Sequence, residues 1–204
     1  MTDLLDELNK NINKMNVTRW NSEYLLVKSI LSIGKDDFES ITKLMDNVVK
    51  FTNNDLTILE EIADVLEPFY EVSIKCQAEI IVTASLVVPV IVHLITHLRD
   101  IKENLSFCTK LAQQLQSSIE IRFAGIIKRL NQFDVDTNDP FNDPMYFMAA
   151  VLDPSFKFYW IQDLKLPTNA ENRLKQNIIQ LILDDISKDI TTPSKHLSNQ
   201  SIFS

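Results

Sequence analysis

Leu59-Glu60-Glu61-Ile62-Ala63-Asp64-Val65-Leu66-Glu67-Pro68-Phe69-Tyr70 is the stretch whose reading decides the fold class. Leu59, Ile62, Ala63, Leu66, Phe69 and Tyr70 recur at three- and four-residue intervals, which lays one continuous apolar stripe along a helix. The helix is predicted to start after Asn53-Asn54-Asp55, where an Asn or Asp side chain can accept from free amides, and to run to about Gln77. Pro68 lacks an N–H and is expected to kink it. A stripe of this length requires covering partners.

Working outward, residues 4–15 and 22–33 read as two short helices, with Gly34 as a stop after the second, and 37–51 as a third. Ile80–Leu98 holds no Asp, Glu, Lys or Arg over 19 residues, the length of a membrane span. Thr83, Ser85, Pro89, His93, Thr96 and His97 interrupt it, so the expectation is a central bundle helix from about 85 to 104 and no membrane contact. Residues 108–133 read as one amphipathic helix on Leu115, Ile119, Phe123, Ile126, Leu130 and Phe133, slightly weakened by Gly125. Residues 134–144 form an Asp/Asn/Pro-rich acidic loop, and short helices over 145–152 and 155–164 flank Asp153-Pro154. A last helix spans about 169–190. The organisation expected is therefore an N-terminal helix (1–16), a main helical bundle (17–133), the acidic loop (134–144), C-terminal helices (145–190) and a disordered tail (191–204).

Whole-chain composition agrees with an all-α fold and excludes several function classes. The 204 residues are 45% hydrophobic and 24% charged, in the globular range. Gly34 and Gly125 are the two glycines of the chain, so neither a dinucleotide fingerprint nor a P-loop can be built. Cys76 and Cys108 stand apart, which excludes a Cys-x-x-Cys zinc ribbon or redox pair and fits a reducing compartment. The acidic start, Met1-Thr2-Asp3-Leu4-Leu5-Asp6-Glu7, does not read as a secretion signal. A net charge of −8 denies the chain the overall positive field of a DNA-coating protein. Residues 101–133 run against that trend, with Lys102, Lys110, Arg122, Lys128 and Arg129 against Glu103 and Glu120. On one continuous helix Lys110 and Lys128 share a face, with Arg122 and Arg129 on a neighbouring one.

Candidate chemistry is sparse. His93 and His97 have metal-chelate spacing, but His93-Leu94-Ile95-Thr96-His97 lacks the Glu of a zincin and no Cys lies near in sequence, so they read as packing residues. Asp134-Val135-Asp136-Thr137-Asn138 begins like a calcium loop, yet Asp139 replaces the turn glycine and Met145 the bidentate Glu. Asp153 is placed to cap a helix starting near Ser155. No metal, no cofactor and no catalytic residue is expected.

Three ordered blocks carry a family resemblance. Thr18-Arg19-Trp20-Asn21-Ser22, followed by Tyr24 and Leu25, resembles the signature of the hAT superfamily of DNA transposases and of the BED zinc-finger proteins derived from them. Leu66-Glu67-Pro68-Phe69-Tyr70 with Thr83-Ala84-Ser85-Leu86-Val87-Val88-Pro89-Val90-Ile91 is similar to the family's central helices. Met148-Ala149-Ala150-Val151-Leu152-Asp153-Pro154-Ser155-Phe156-Lys157 resembles its Leu-Asp-Pro-Arg-Phe-Lys block, with Ser155 in place of Arg.

The resemblance implies a helical insertion region of an RNase H-like catalytic domain, nuclear location (cytoplasmic otherwise) and a link to DNA. It implies that the catalytic acids and the BED finger lie outside this chain, so no transposase activity is expected of it. It further implies that Trp20 stacks on an unpaired base at a DNA end and that Arg19 meets a phosphate, with Lys110, Arg122, Lys128 and Arg129 as a second basic surface. The competing reading of Trp20 is an anchor for the first helices. Two functions follow as expectations: a catalytically inactive, nucleic-acid-associated module, or a helical protein-interaction module with a protein partner or self-association. A decayed transposase remnant is a third possibility.

Overall fold

The computed structural model describes residues 21–34, 52–77, 84–131 and 138–191. The helices expected over 4–15 and 37–51, together with Arg19, Trp20, Asp134–Thr137 and the tail after Thr191, lie outside the described residues. Among the described residues every regular element is helical and none is a strand, which makes the protein all-α. In chain order these are α1 (Asn21–Leu31), α2 (Asn53–Cys76), α3 (Ala84–Ile101), α4 (Thr109–Arg122), α5 (Ala124–Leu130), α6 (Met145–Leu152), a 3-10 helix (Tyr159–Leu164) and α7 (Thr168–Thr191).

The chain divides into two compact units. The first takes residues 1–81 and 93–122, the second 82–92 and 123–204. In the first unit α1 packs on α2. Asn21 Nδ2 donates to Ser73 Oγ (2.6 Å), the Tyr24 ring lies 4.7 Å from Tyr70, and Lys28 reaches Glu67, so ascending α1 descends α2 and the pair is antiparallel.

α2 starts at Asn53, three residues earlier than expected, and the cap is Thr52. Its hydroxyl accepts from the Asp55 amide while the Asp55 carboxylate accepts from the Thr52 amide, a reciprocal capping box. Pro68 does not end the helix. Of the predicted stripe Ala63 is buried, while Leu59, Ile62, Leu66, Phe69 and Tyr70 are half-buried. Glu61 and Val65, four apart and off the stripe, are also buried, so burial extends to a second face of α2.

Four further expectations are corrected. α1 ends at Leu31, where the Ser32 and Ile33 amides close on Lys28 and Ile30, and Gly34 has no positive φ to act as a left-handed stop. α3 stops at Ile101 rather than 104. By length and composition it could cross a membrane, yet half of it is buried inside the protein, with Val88, Ile91, Val92, Leu94, Ile95 and Leu98 enclosed. The amphipathic helix expected over 108–133 is two helices, because Phe123 (φ −111°, ψ 35°) leaves helical geometry. The segment expected as a helix over 155–164 is a turn followed by the 3-10 helix. Asp153 therefore caps no helix start: its Oδ1 accepts the Ser155 amide at 2.8 Å and closes an Asx turn just after α6.

The second unit is closed by shape. Gly125 in α5 lies so close to the 139–142 loop that a Cβ would sit 2.6 Å from the Phe141 carbonyl carbon and 2.7 Å from the Asn142 nitrogen. This glycine is required by approach, and the cost to helix propensity is secondary. Phe147 and Trp160 pack with ring centres 6.2 Å apart in a core that includes Ile126, Ile161, Leu174 and Ile178. Trp160 Nε1 donates to the carbonyl of Lys157, a residue held at φ 47°.

Candidate functional site

The site begins with Pro68. A proline at this position removes the amide that would bond the carbonyl four residues back, which is that of Asp64. His97 of α3 fills the gap, with Nε2 3.1 Å from Asp64 O. A carbonyl can only accept, so Nε2 carries the proton and Nδ1 is the position left to titrate. Burial lowers the His97 pKa, against an opposing pull from this same carbonyl. One residue before the proline, Glu67 faces α1, where its Oε1 accepts from the Tyr24 hydroxyl at 2.9 Å and from Lys28 Nζ at 3.5 Å. Burial and the adjoining Glu67 carboxylate push the Tyr24 phenol up to about 12.

Around this junction lies an open cleft of about 410 Å³, within the first unit, lined by Asp64, Glu67, Pro68 and Glu71 of α2 and by His93, His97 and Ile101 of α3. The spacing explains the lining. Residues 64, 67 and 71 fall on one face of α2, and 93, 97 and 101 on one face of α3. Three carboxylates and two imidazoles thus share one surface depression. The histidine pair does not build a chelate: no group of three or more His, Cys, Asp or Glu among the described residues is arranged to hold a metal. What the cleft offers is negative charge, suited to a basic group of a ligand.

The framework behind it is polar and closed. Glu61, 7% exposed, accepts the amides of Ser106, Phe107 and Cys108 at 2.7, 2.9 and 2.7 Å, directly before α4. Burial alone would raise its pKa, but the three amides outweigh it and hold the carboxyl below its usual range. The Cys108 thiol, raised by burial and then by Glu61, donates to Ile58 O at 3.8 Å.

The basic residues proposed from sequence do not form one surface on one helix. Lys110 and Arg122 are exposed on α4, whereas Lys128 and Arg129 belong to α5, beyond the break at Phe123, and are half-buried. The single-helix projection does not carry across that break. Arg129 is engaged: Nε and Nη2 donate to Asn142 O (3.0 and 2.7 Å), and Nη2 also to Asn142 Oδ1. Its pKa is lowered by burial.

No family model, curated protein or solved structure matches the chain. The blocks that carry the sequence resemblance nevertheless touch one another. Tyr24 of the first meets Glu67 and Tyr70 of the second, Asn21 bonds Ser73 three residues beyond it, and the Ser85 side chain hydrogen-bonds Asp153 of the third. Sequence reasoning missed Glu61 and the Pro68–His97 pairing. The signal available for the second was the proline itself, which announces an orphaned carbonyl at Asp64 and hence a donor from another element.

Proposed function

We propose that this chain is a transposase-derived helical module that works by binding rather than by catalysis, and that its working surface is the acid-lined cleft of the first unit, which receives a Lys- or Arg-rich segment of a protein partner. The single observation that carries this reading is the set of Asp64, Glu67 and Glu71 on one open cleft, where the α1 neighbour Lys28 pairs with Glu67. The transposase-derived origin is supported by the contacts that join the three resembling blocks. A test is titration of a fluorescent Lys/Arg-rich peptide at low and moderate salt. The expected result is salt-sensitive binding, weakened about tenfold by the pair Asp64→Asn and Glu71→Gln, which leaves the Glu67 network intact. Equal affinity for wild type and the pair would sink the proposal.

A second reading, association with DNA through Arg19, Trp20, Lys110, Arg122 and Lys128, is favoured by the exposure of Lys110 and Arg122 on α4. It predicts a mobility shift of hairpin-ended duplex at low salt that Trp20→Ala weakens. Absence of any shift at low salt rejects it.

A further inference from the structure

The acid-lined cleft, read as the seat of a basic segment, also holds two groups whose charge changes near neutrality. None of the residues that line it is Lys or Arg. The positive charge it can draw on comes from Lys28 of α1, 3.5 Å from Glu67, and from the imidazoles of His93 and His97 on α3. Asp64 and Glu71 are exposed and have no ion-pair partner among the described residues. An imidazole is the one side chain whose ordinary pKa puts its change of charge between about pH 5 and 8.

Both rings can take up a proton without dismantling the site. His93 is exposed and makes no hydrogen bond among the described residues. His97 has Nε2 committed to the Asp64 carbonyl, so its proton arrives at Nδ1 and the junction with Pro68 stays closed. The charges facing the two rings are Asp64, Glu67 and Glu71 from α2, Asp100 from α3 itself and, through Glu67, Lys28 from α1. At His97, burial and then the neighbouring His93 hold the pKa below the usual imidazole range, against the pull of the Asp64 carbonyl and of Asp100.

We propose that acid empties this cleft: protonated His93 and His97 take the place of the ligand's cations opposite Asp64, Glu67 and Glu71, so a bound Lys- or Arg-rich segment is released as pH falls. The proposal rests on the reading of the cleft as a site for such a segment. Near neutral pH three carboxylates face a single ammonium; once both rings are charged they face two imidazoliums as well, and no net negative charge remains to hold a cation. The carboxylates themselves titrate near pH ~4, so release through the imidazoles precedes release through the acids. Linkage makes the effect reciprocal, and a bound basic segment lowers the pH at which the rings charge.

Titration of an acetylated, histidine-free Lys/Arg-rich peptide between about pH 5.5 and 8 at fixed low salt tests this, because such a peptide keeps its own charge constant over that range. Wild type is expected to bind about tenfold more weakly at the acid end. His93→Gln is expected to cut that change to about threefold, and H93Q/H97Q to remove it, the new amide at position 97 still being able to donate to the Asp64 carbonyl. In the same samples the imidazole proton resonances of His93 and His97 should titrate at lower pH when peptide is present. Peptide binding of equal affinity across the range would overturn the acid release and leave the cleft reading standing; no binding at any pH would overturn both. A decline that persists in H93Q/H97Q, or that begins only where carboxylates protonate, would also overturn it. Circular dichroism at each pH verifies the fold, and if H93Q/H97Q loses helix content, His93→Gln decides alone: an undiminished decline in that variant would overturn the proposal.

Discussion

The two units of this protein are closed by opposite means. In the first, polar groups bind one element to the next: buried Glu61 on three amides, half-exposed Glu67 on Tyr24, and His97 at the cleft on the carbonyl that Pro68 leaves open. In the second, the closest approach is steric, with Gly125 against the Phe141–Asn142 backbone and rings of Phe123 and Phe141 4.6 Å apart, beside the Arg129 hydrogen bonds to Asn142. A polar join fails when one partner is removed, because the other is left unpaired in a dry site. A steric join fails when volume is added. Closure of the first unit therefore depends on pH through Glu61, His97 and Tyr24, and the second unit tolerates no extra methyl group at the Gly125 contact.

Substitutions can break this contrast. The largest loss is expected for Glu61→Ala, which strands three amides and should cost about 4 kcal/mol in chemical denaturation, with Glu61→Gln intermediate because it can still accept. Gly125→Ala follows at about 2–3 kcal/mol despite the gain in helix propensity, since the added carbon meets backbone rather than a movable side chain. Equal stability of Gly125→Ala and wild type would refute the steric account. Tyr24→Phe, which keeps the ring contact with Tyr70 and deletes one hydrogen bond, should cost about 1 kcal/mol. The smallest effect belongs to Lys28→Ala, a few tenths of a kcal/mol at most, because both partners of its 3.5 Å ion pair are about half exposed.

Titration sharpens the same contrast. Glu61 is held below its ordinary 4.5, so its contribution is complete above that pH and is lost as pH falls through the folded value. His97 is a base with a lowered pKa. The unfolded chain takes up its proton first, and stability declines as pH falls below 6.5. Tyr24 acts at the other end: its phenol ionises near 10 when unfolded and about 12 when folded, so stability is lost as pH rises from 10 to 12. Tyr24→Phe should flatten that alkaline limb and leave the acid limb unchanged in urea melts recorded across pH.

Much of the helical architecture was legible in the sequence because periodicity reports local geometry. Met145–Leu152 was placed to the residue, and α2 and α7 within a few. The break at Phe123 was not legible: apolar spacing runs on through it, while the backbone of Phe123 leaves helical geometry just before Gly125 meets the 139–142 loop. Glu61 was invisible for a related reason. As a charged residue off the apolar stripe it reads as solvent-facing, and only the arrival of the 106–108 amides explains its burial. In the cleft, the reading of His93 and His97 as packing residues fits His97, which bonds the Asp64 carbonyl, and fails for His93, which is exposed. The opposing acids of α2 became part of one surface only once the two helices were placed together.

Amide chemical-shift mapping of the labelled protein, titrated in parallel with a Lys/Arg-rich peptide and with hairpin-ended DNA, tests the central claim most directly. The account predicts that the peptide moves resonances of residues 64–71 and 93–101 and that Asp64→Asn with Glu71→Gln moves the titration to about tenfold higher peptide concentration. Shifts with DNA alone, centred on residues 19–22 and 110–122 while the cleft stays silent to peptide, would contradict it.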